Sequence, residues 1–137
     1  LRNKFQFRYE DIAEGRKDIT LYENNIEKSI IEALIQKSPQ SFKNHVEKLV
    51  GRYNQGKHNF TVLLTYCKKE NFLNEWGKYQ EWHSDLIKEN KKHHKLKIID
   101  NKSLKADQNF KFAYSDYKID NGRITRIYHI FVDFTII

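Results

Sequence analysis

The sequence contains no methionine, one cysteine, one proline and five glycines, and it has no long apolar run. A lone cysteine excludes an internal disulfide framework. Cys67 lies in the apolar stretch Val62–Cys67 and reads as a small buried hydrophobe rather than a reactive thiol. One proline, Pro39, leaves no Pro-rich linker, and no internal repeat is visible. No stretch approaches the roughly 20 apolar residues of a membrane-spanning helix. The opening Leu1-Arg2-Asn3-Lys4-Phe5 lacks the apolar core of a signal peptide. Without methionine, Leu1 is not a natural start, so the chain is expected to be a processed product, an excised domain, or a chain missing its first residues. A cytoplasmic location, or delivery into a target cell's cytoplasm, suits this cysteine usage.

Absent motifs narrow the chemistry. There is no GxxxxGK[ST] phosphate loop, no GxGxxG, no HExxH and no pair of cysteine ligands. His93 and His94 are adjacent, so on a helix they point to different sides. No carboxylate pair suggests glycoside hydrolysis. Neither a metal nor an organic cofactor is expected.

What remains is a basic, aromatic chain. Its 137 residues fit a single domain, 1–137, and aromatics at 14% supply a packed core despite 31% charge. The net charge of +7 is uneven: residues 43–69 carry six basic side chains against Glu47, and residues 88–111 carry eight lysines against Glu89, Asp100 and Asp107. Residues 70–87 run three negative between them, and both ends balance. With 19 lysines to six arginines, the surplus suits phosphate contact more than base reading. A nucleic-acid partner, RNA more than duplex DNA, is the leading expectation. An acidic cognate protein such as an immunity protein is the alternative, and a lysine-rich surface serving solubility is the bland reading.

Hydrophobic periodicity predicts an α+β chain with N-terminal helices followed by a mostly antiparallel sheet, a long amphipathic helix packed on it. Phe5–Tyr9 alternates as a short strand, and Gly15 suits a turn. From Asn25 the set Ile26, Ile30, Ala33 and Leu34 fits a helix capped by Asn24 or Asn25 and ended by Ser38-Pro39. A second helix is expected from Ser41, with Phe42, Val46, Leu49, Val50 and Tyr53 on one face. Asn59–Tyr66 and Leu96–Ile99 read as strands. Between them Phe72, Leu73, Trp76, Tyr79, His83, Leu86 and Ile87 form the longest apolar stripe.

The C-terminal hairpin is expected to turn at Asn121-Gly122 as a two-residue type I′ loop. That register sets Tyr114 opposite His129, and Asp116 opposite Ile127. The core side then falls on Ile124, Tyr128, Ile130, Val132 and Phe134. The other side becomes a polar row of Arg123, Thr125, His129, Asp133 and Thr135, with Arg126 one pleat away.

Histidine, arginine and tyrosine are the kit of a metal-independent ribonuclease. The 2′-hydroxyl attacks, so the protein needs only a base, an acid and cations for the phosphorane charge. His129 is the candidate acid or base, Arg123 and Arg126 the phosphate contacts, and Tyr114 or Thr125 the orienting group. Lys88, Lys91, Lys92, Lys95 and Lys97 would track the backbone, and Trp82, off the apolar stripe, would stack on a base. The bland reading makes His129 a half-buried sheet residue and His83 a satisfied core histidine.

The stretch Phe60–Cys67 followed by Trp76-x-x-Tyr79-x-x-x-His83 resembles an uncharacterised bacterial domain family associated with phage defence. Its signature runs Trp-x-x-Tyr-x-x-x-His-x-Gly after a strand ending near Cys-Phe-Ser. Lys68-Lys69 replace the Phe-Ser here, Asp85 stands at the glycine, and the family's opening Phe-Asn-Asp-Pro is absent. The resemblance covers about 25 residues and implies a toxin or bacterial-defence setting.

Overall fold

Among the described residues seven strands in one mixed sheet dominate, and the expected helix-led architecture is overturned. The computed structural model describes residues 5–11, 17–54, 58–99, 109–120 and 122–135. Strands β1 (Phe5–Asp11), β2 (Lys17–Glu23) and β3 (Ile26–Ile35) precede any helix. They are followed by α1 (Pro39–Glu47), a π-helical stretch Lys48–Asn54, β4 (Phe60–Cys67), α2 (Phe72–Glu89), β5 (Lys97–Ile98), β6 (Phe110–Lys118) and β7 (Ile124–Asp133). The spatial order is β1-β2-β3-β4-β7-β6-β5. Strands β3, β4 and β7 run parallel at the centre, with antiparallel pairs on either side. Gly15 lies outside the described residues.

The segment expected to be the first helix is β3. Its isoleucines meet a helical period by coincidence, whereas β-branched side chains prefer a pleated surface. β3 is an inner strand between β2 and β4, and its run Ile30–Ile35 alternates between Ile30 and Leu34, buried on one face, and Ile31, Ala33 and Ile35, less buried on the other. Asn24 and Asn25, read as helix caps, take positive φ of 52° and 65° and form the two-residue turn joining Glu23 to Ile26. Asparagine tolerates this left-handed backbone better than most residues, so the I′-type turn sits here. Ser38-Pro39 starts a helix rather than ending one. The Ser38 hydroxyl accepts from the Ser41 N–H at 3.1 Å, and Pro39 occupies the first turn, where its missing N–H costs nothing.

Both helices lie on one face of the sheet. On α2, Phe72, Trp76, Tyr79, His83 and Leu86 are buried. They meet Ile30, Leu34, Leu63, Cys67, Ala113, Ile127 and Phe131 from the strands and Phe42, Val46, Leu49 and Val50 from the α1 region. No described element covers the other face. Among the described residues no helix is long and apolar enough to cross a membrane.

The C-terminal hairpin turns differently from expectation. The Ile119 N–H donates to the Arg123 carbonyl at 2.8 Å and the Gly122 N–H to the Ile119 carbonyl at 2.9 Å, which encloses a three-residue loop, 120–122. Gly122 has φ of 86°, the left-handed position that such loops require. The extra loop residue slides β6 by one, so Ala113 rather than Tyr114 faces His129, and Arg126 rather than Ile127 faces Asp116. A one-residue slip exchanges the two faces of a strand.

Candidate functional site

The face under the helices holds a cluster of three buried histidines. His129 comes from the middle of β7, His83 from the third turn of α2, and His93 from the segment after α2, where it bridges to Tyr117 of β6. Their exposures are 0%, 1% and 2%. The His83 ring centre lies 5.4 Å from that of His129 and 6.5 Å from that of His93.

Only His129 is visibly satisfied. Its Nδ1 lies 2.6 Å from the Tyr79 hydroxyl and its Nε2 2.8 Å from the Ser115 hydroxyl. A neutral imidazole has one N–H and one bare nitrogen, so one hydroxyl donates to the ring and the other accepts from it. The phenol is the stronger acid and the natural donor. His83 and His93 have no hydrogen-bond partner for either nitrogen among the described residues. Burial, and in each case a neighbouring histidine, pushes both down to about 4. Burial holds His129 well below the ordinary histidine value, and it drives the Tyr79 phenol upward. All three rings are therefore neutral at pH 7. No group of three His, Cys, Asp or Glu among the described residues is placed to hold a metal ion.

Tyr79→Phe tests how far His129 depends on its partner. It removes one hydroxyl and leaves a fully buried ring nitrogen unpaired. The expected cost is about 1–3 kcal/mol of unfolding free energy, measured by urea titration at pH 7.

The expected catalytic row does not assemble. His129 and Thr125 lie on the helix-covered face, where Thr125 donates its hydroxyl to the His58 carbonyl at 2.8 Å. Arg126 and Tyr114 lie on the other face, with the Arg126 guanidinium carbon 4.0 Å from the Tyr114 ring centre and Nε 2.9 Å from the Asp116 carboxylate. Arg123 is exposed beside the hairpin loop. The chosen core side was the wrong one. Thr125, Ile127, His129 and Phe131 are buried, while Tyr128, Ile130 and Val132 are only partly covered and Ile124 and Phe134 are exposed.

The expected nucleic-acid contacts divide. Lys91, Lys95 and Lys97 are exposed, Lys88 stands 4.0 Å from Asp85, and Lys92 pairs with Asp120. Trp82 packs on the core with its ring 6.2 Å from Phe42, so it is no free stacking platform.

Sequence reasoning missed a second constellation, on the uncovered face. Register places Phe60 of β4, Phe112 and Tyr114 of β6, and Tyr128 of β7 there, all partly exposed. Tyr128 sits 5.8 Å from Phe60, edge to face, and 5.9 Å from Phe112, nearly parallel at 18°. Lys97 on the neighbouring strand holds its ammonium 5.7 Å from the Tyr114 ring. The signal was present as aromatic residues at alternate positions of strands whose intervening positions are also buried. Comparison with known proteins finds no matching family model, no matching curated protein and no matching solved structure.

Proposed function

We propose that this chain binds single-stranded nucleic acid, RNA before DNA, across the uncovered face of its sheet. The supporting observation is the group Phe60, Tyr128, Phe112 and Tyr114, partly exposed on adjoining strands and edged by Arg126 and Lys97. Unpaired bases stack on such rings, and the cations meet the phosphates between them. A duplex offers no free base faces to a sheet. Lys88 lies in the last turn of α2 and Lys91, Lys92 and Lys95 in the segment between α2 and β5; of these last three, Lys91 and Lys95 are exposed and would add to the positive charge beside Lys97. Binding rather than cleavage is favoured, because His129 is sealed away from Arg126 and Tyr114. The resemblance around Trp76, Tyr79 and His83 gives this proposal a bacterial-defence setting.

The test is fluorescence anisotropy with a labelled 12-nucleotide RNA and its duplex. The single strand is expected to bind more tightly than the duplex, and Tyr128→Ala to weaken it by about 5- to 150-fold, the range for one base stack. Lys97→Ala is expected to reduce the salt slope by about 0.7. A duplex that binds equally well, or a Tyr128→Ala variant of unchanged affinity, would refute the proposal.

One observation favours a second reading. Ile31, Ala33, Val62, Leu64, Ile130 and Val132 make the other half of the same face aliphatic and partly exposed. A protein partner with an apolar centre would fit that half. Its affinity would depend little on salt, whereas phosphate contacts weaken steeply as salt rises.

A further inference from the structure

A cavity of about 420 Å³ opens at the carboxyl ends of β3 and β4. Both helices also begin at this end, α1 directly after β3 and α2 directly after β4.

The lining itself is two-sided. One wall is aromatic: Tyr66 and Phe134 meet edge to face at 5.2 Å and 68°. The other is cationic and polar, with Lys37, Lys68, His45 and Ser41. The Lys68 ammonium stands 5.7 Å from the Phe134 ring centre, which ties the two walls together. No carboxylate among the described residues pairs with Lys37 or Lys68, unlike Lys43, Lys78, Lys92 and Arg126, which each have one. Glu32, a buried carboxylate that is not in the lining, lies behind His45. His45 Nε2 stands 3.8 Å from it and Lys48 Nζ 3.9 Å, so its charge is met from that side. The His45 ring is fixed by its Nδ1–H, which donates to the Ser41 carbonyl at 2.7 Å.

We propose that this cavity binds a phosphorylated nucleoside, its base against Tyr66 and Phe134 and its phosphate held by Lys37 and Lys68. About 420 Å³ falls in the range of small-molecule sites. An aromatic wall beside two cations without carboxylate partners matches a flat ring carrying an anion. The ligand is either a free mononucleotide or the terminal nucleotide of a strand. Tyr66 of β4 lies on the sheet face that carries Tyr128 of β7, and Phe134 directly follows β7, so a nucleic-acid strand lying on that face can end here.

The experiment is titration of the full chain with adenosine 5′-monophosphate, uridine 5′-monophosphate, adenosine and inorganic phosphate, followed by amide chemical shifts. The monophosphates are expected to perturb residues 35–41 and 66–69. Adenosine and phosphate alone should each bind at least about tenfold more weakly, since each offers one half of the interaction. The double variant Lys37→Ala/Lys68→Ala should lose at least about tenfold in monophosphate affinity. Unperturbed amides at those positions, phosphate binding as tightly as the nucleotides, or an unaffected double variant would each overturn the proposal. Oligonucleotides with and without a terminal phosphate separate the two sources. A terminal-phosphate preference that the double variant abolishes identifies a strand end, and its absence beside intact mononucleotide binding identifies the free ligand. Tyr128→Ala should leave mononucleotide binding unchanged, so failure of this site and failure of the stacking face are read separately.

Discussion

Acidification from pH 7 to pH 4.5 is expected to cost this protein several kcal/mol of stability through the buried histidines His83, His93 and His129. The His83 and His93 rings are neutral in the folded chain, with their ionisation pushed down to about 4 by burial and by neighbouring histidines. Unfolded, each returns to an ordinary value near 6.5. Between those values the unfolded chain binds more protons than the folded one, so stability rises with pH across the window and falls as pH drops through it. The contribution is complete above about pH 6.5 and lost as pH approaches about 4. A displacement of this size corresponds to roughly 3 kcal/mol for the first ring, and the second is coupled to it. Against a total stability of about 5–15 kcal/mol the loss is large. The groups facing the cluster are Tyr79 and Phe42 from the helices, Ser115 and Tyr117 from the sheet and His94 beside His93, none of which supplies a carboxylate to hold the protonated form. Carboxylates elsewhere also titrate at the acid end, so the decisive comparison is with His83→Leu. Neither His83 nitrogen has a described partner, and the substitution removes a buried polar group without stranding another. The variant is expected to match or exceed the parent at pH 7 and to lose less on acidification, by about one ring's contribution, as measured by urea unfolding at pH 7, 5.5 and 4.5. Parallel stability–pH curves for parent and variant would show that the cluster does not govern acid lability.

The helix α2 was legible because one stripe of large side chains repeats over five turns, a length that local periodicity can decide. β3 was not, because Ile26, Ile30, Ala33 and Leu34 satisfy the helical period and an inner strand alike. Only the neighbouring strands β2 and β4, distant in sequence or hidden behind an unrecognised Asn-Asn turn, settle the matter. The hairpin shows how a small local error spreads. Asn121-Gly122 is compatible with a two-residue or a three-residue loop, and the choice moves every β6 side chain to the opposite face. The cluster was legible in fragments: His129 and His83 were singled out, but their approach, and the Tyr79 and Ser115 hydroxyls that hold His129, depend on contacts 50 and 14 residues apart in sequence. The stacking face was obscured by the same ambiguity, since both faces of β7 are apolar and the more uniformly apolar one is the face left uncovered.

Phe131→Ala is therefore expected to cost about 3–5 kcal/mol, while Tyr128→Ala, three residues earlier on the same strand, costs about 1–2 kcal/mol. Phe131 is fully buried, with ring centres of Phe72, Trp76 and Tyr79 within 5.2–5.4 Å. Truncating it opens a cavity bounded by three rings on one rigid helix, which cannot collapse into the space. Tyr128 meets Phe60 and Phe112 at 5.8 and 5.9 Å but has one side open, so its loss removes contacts without enclosing a void. Urea unfolding at pH 7 measures both. The core side expected from the sequence would invert the order, because it buries Tyr128 and exposes Phe131, so equal or inverted costs would contradict the observed assignment of the two faces of β7. Read with RNA affinity, the pair separates fold from function. Phe131→Ala should lower stability while leaving the affinity of its folded fraction intact, whereas Tyr128→Ala should spare the fold and lose the bound strand. That dissociation follows from two side chains on opposite pleats of one strand, one sealed by α2 and one left open to a ligand.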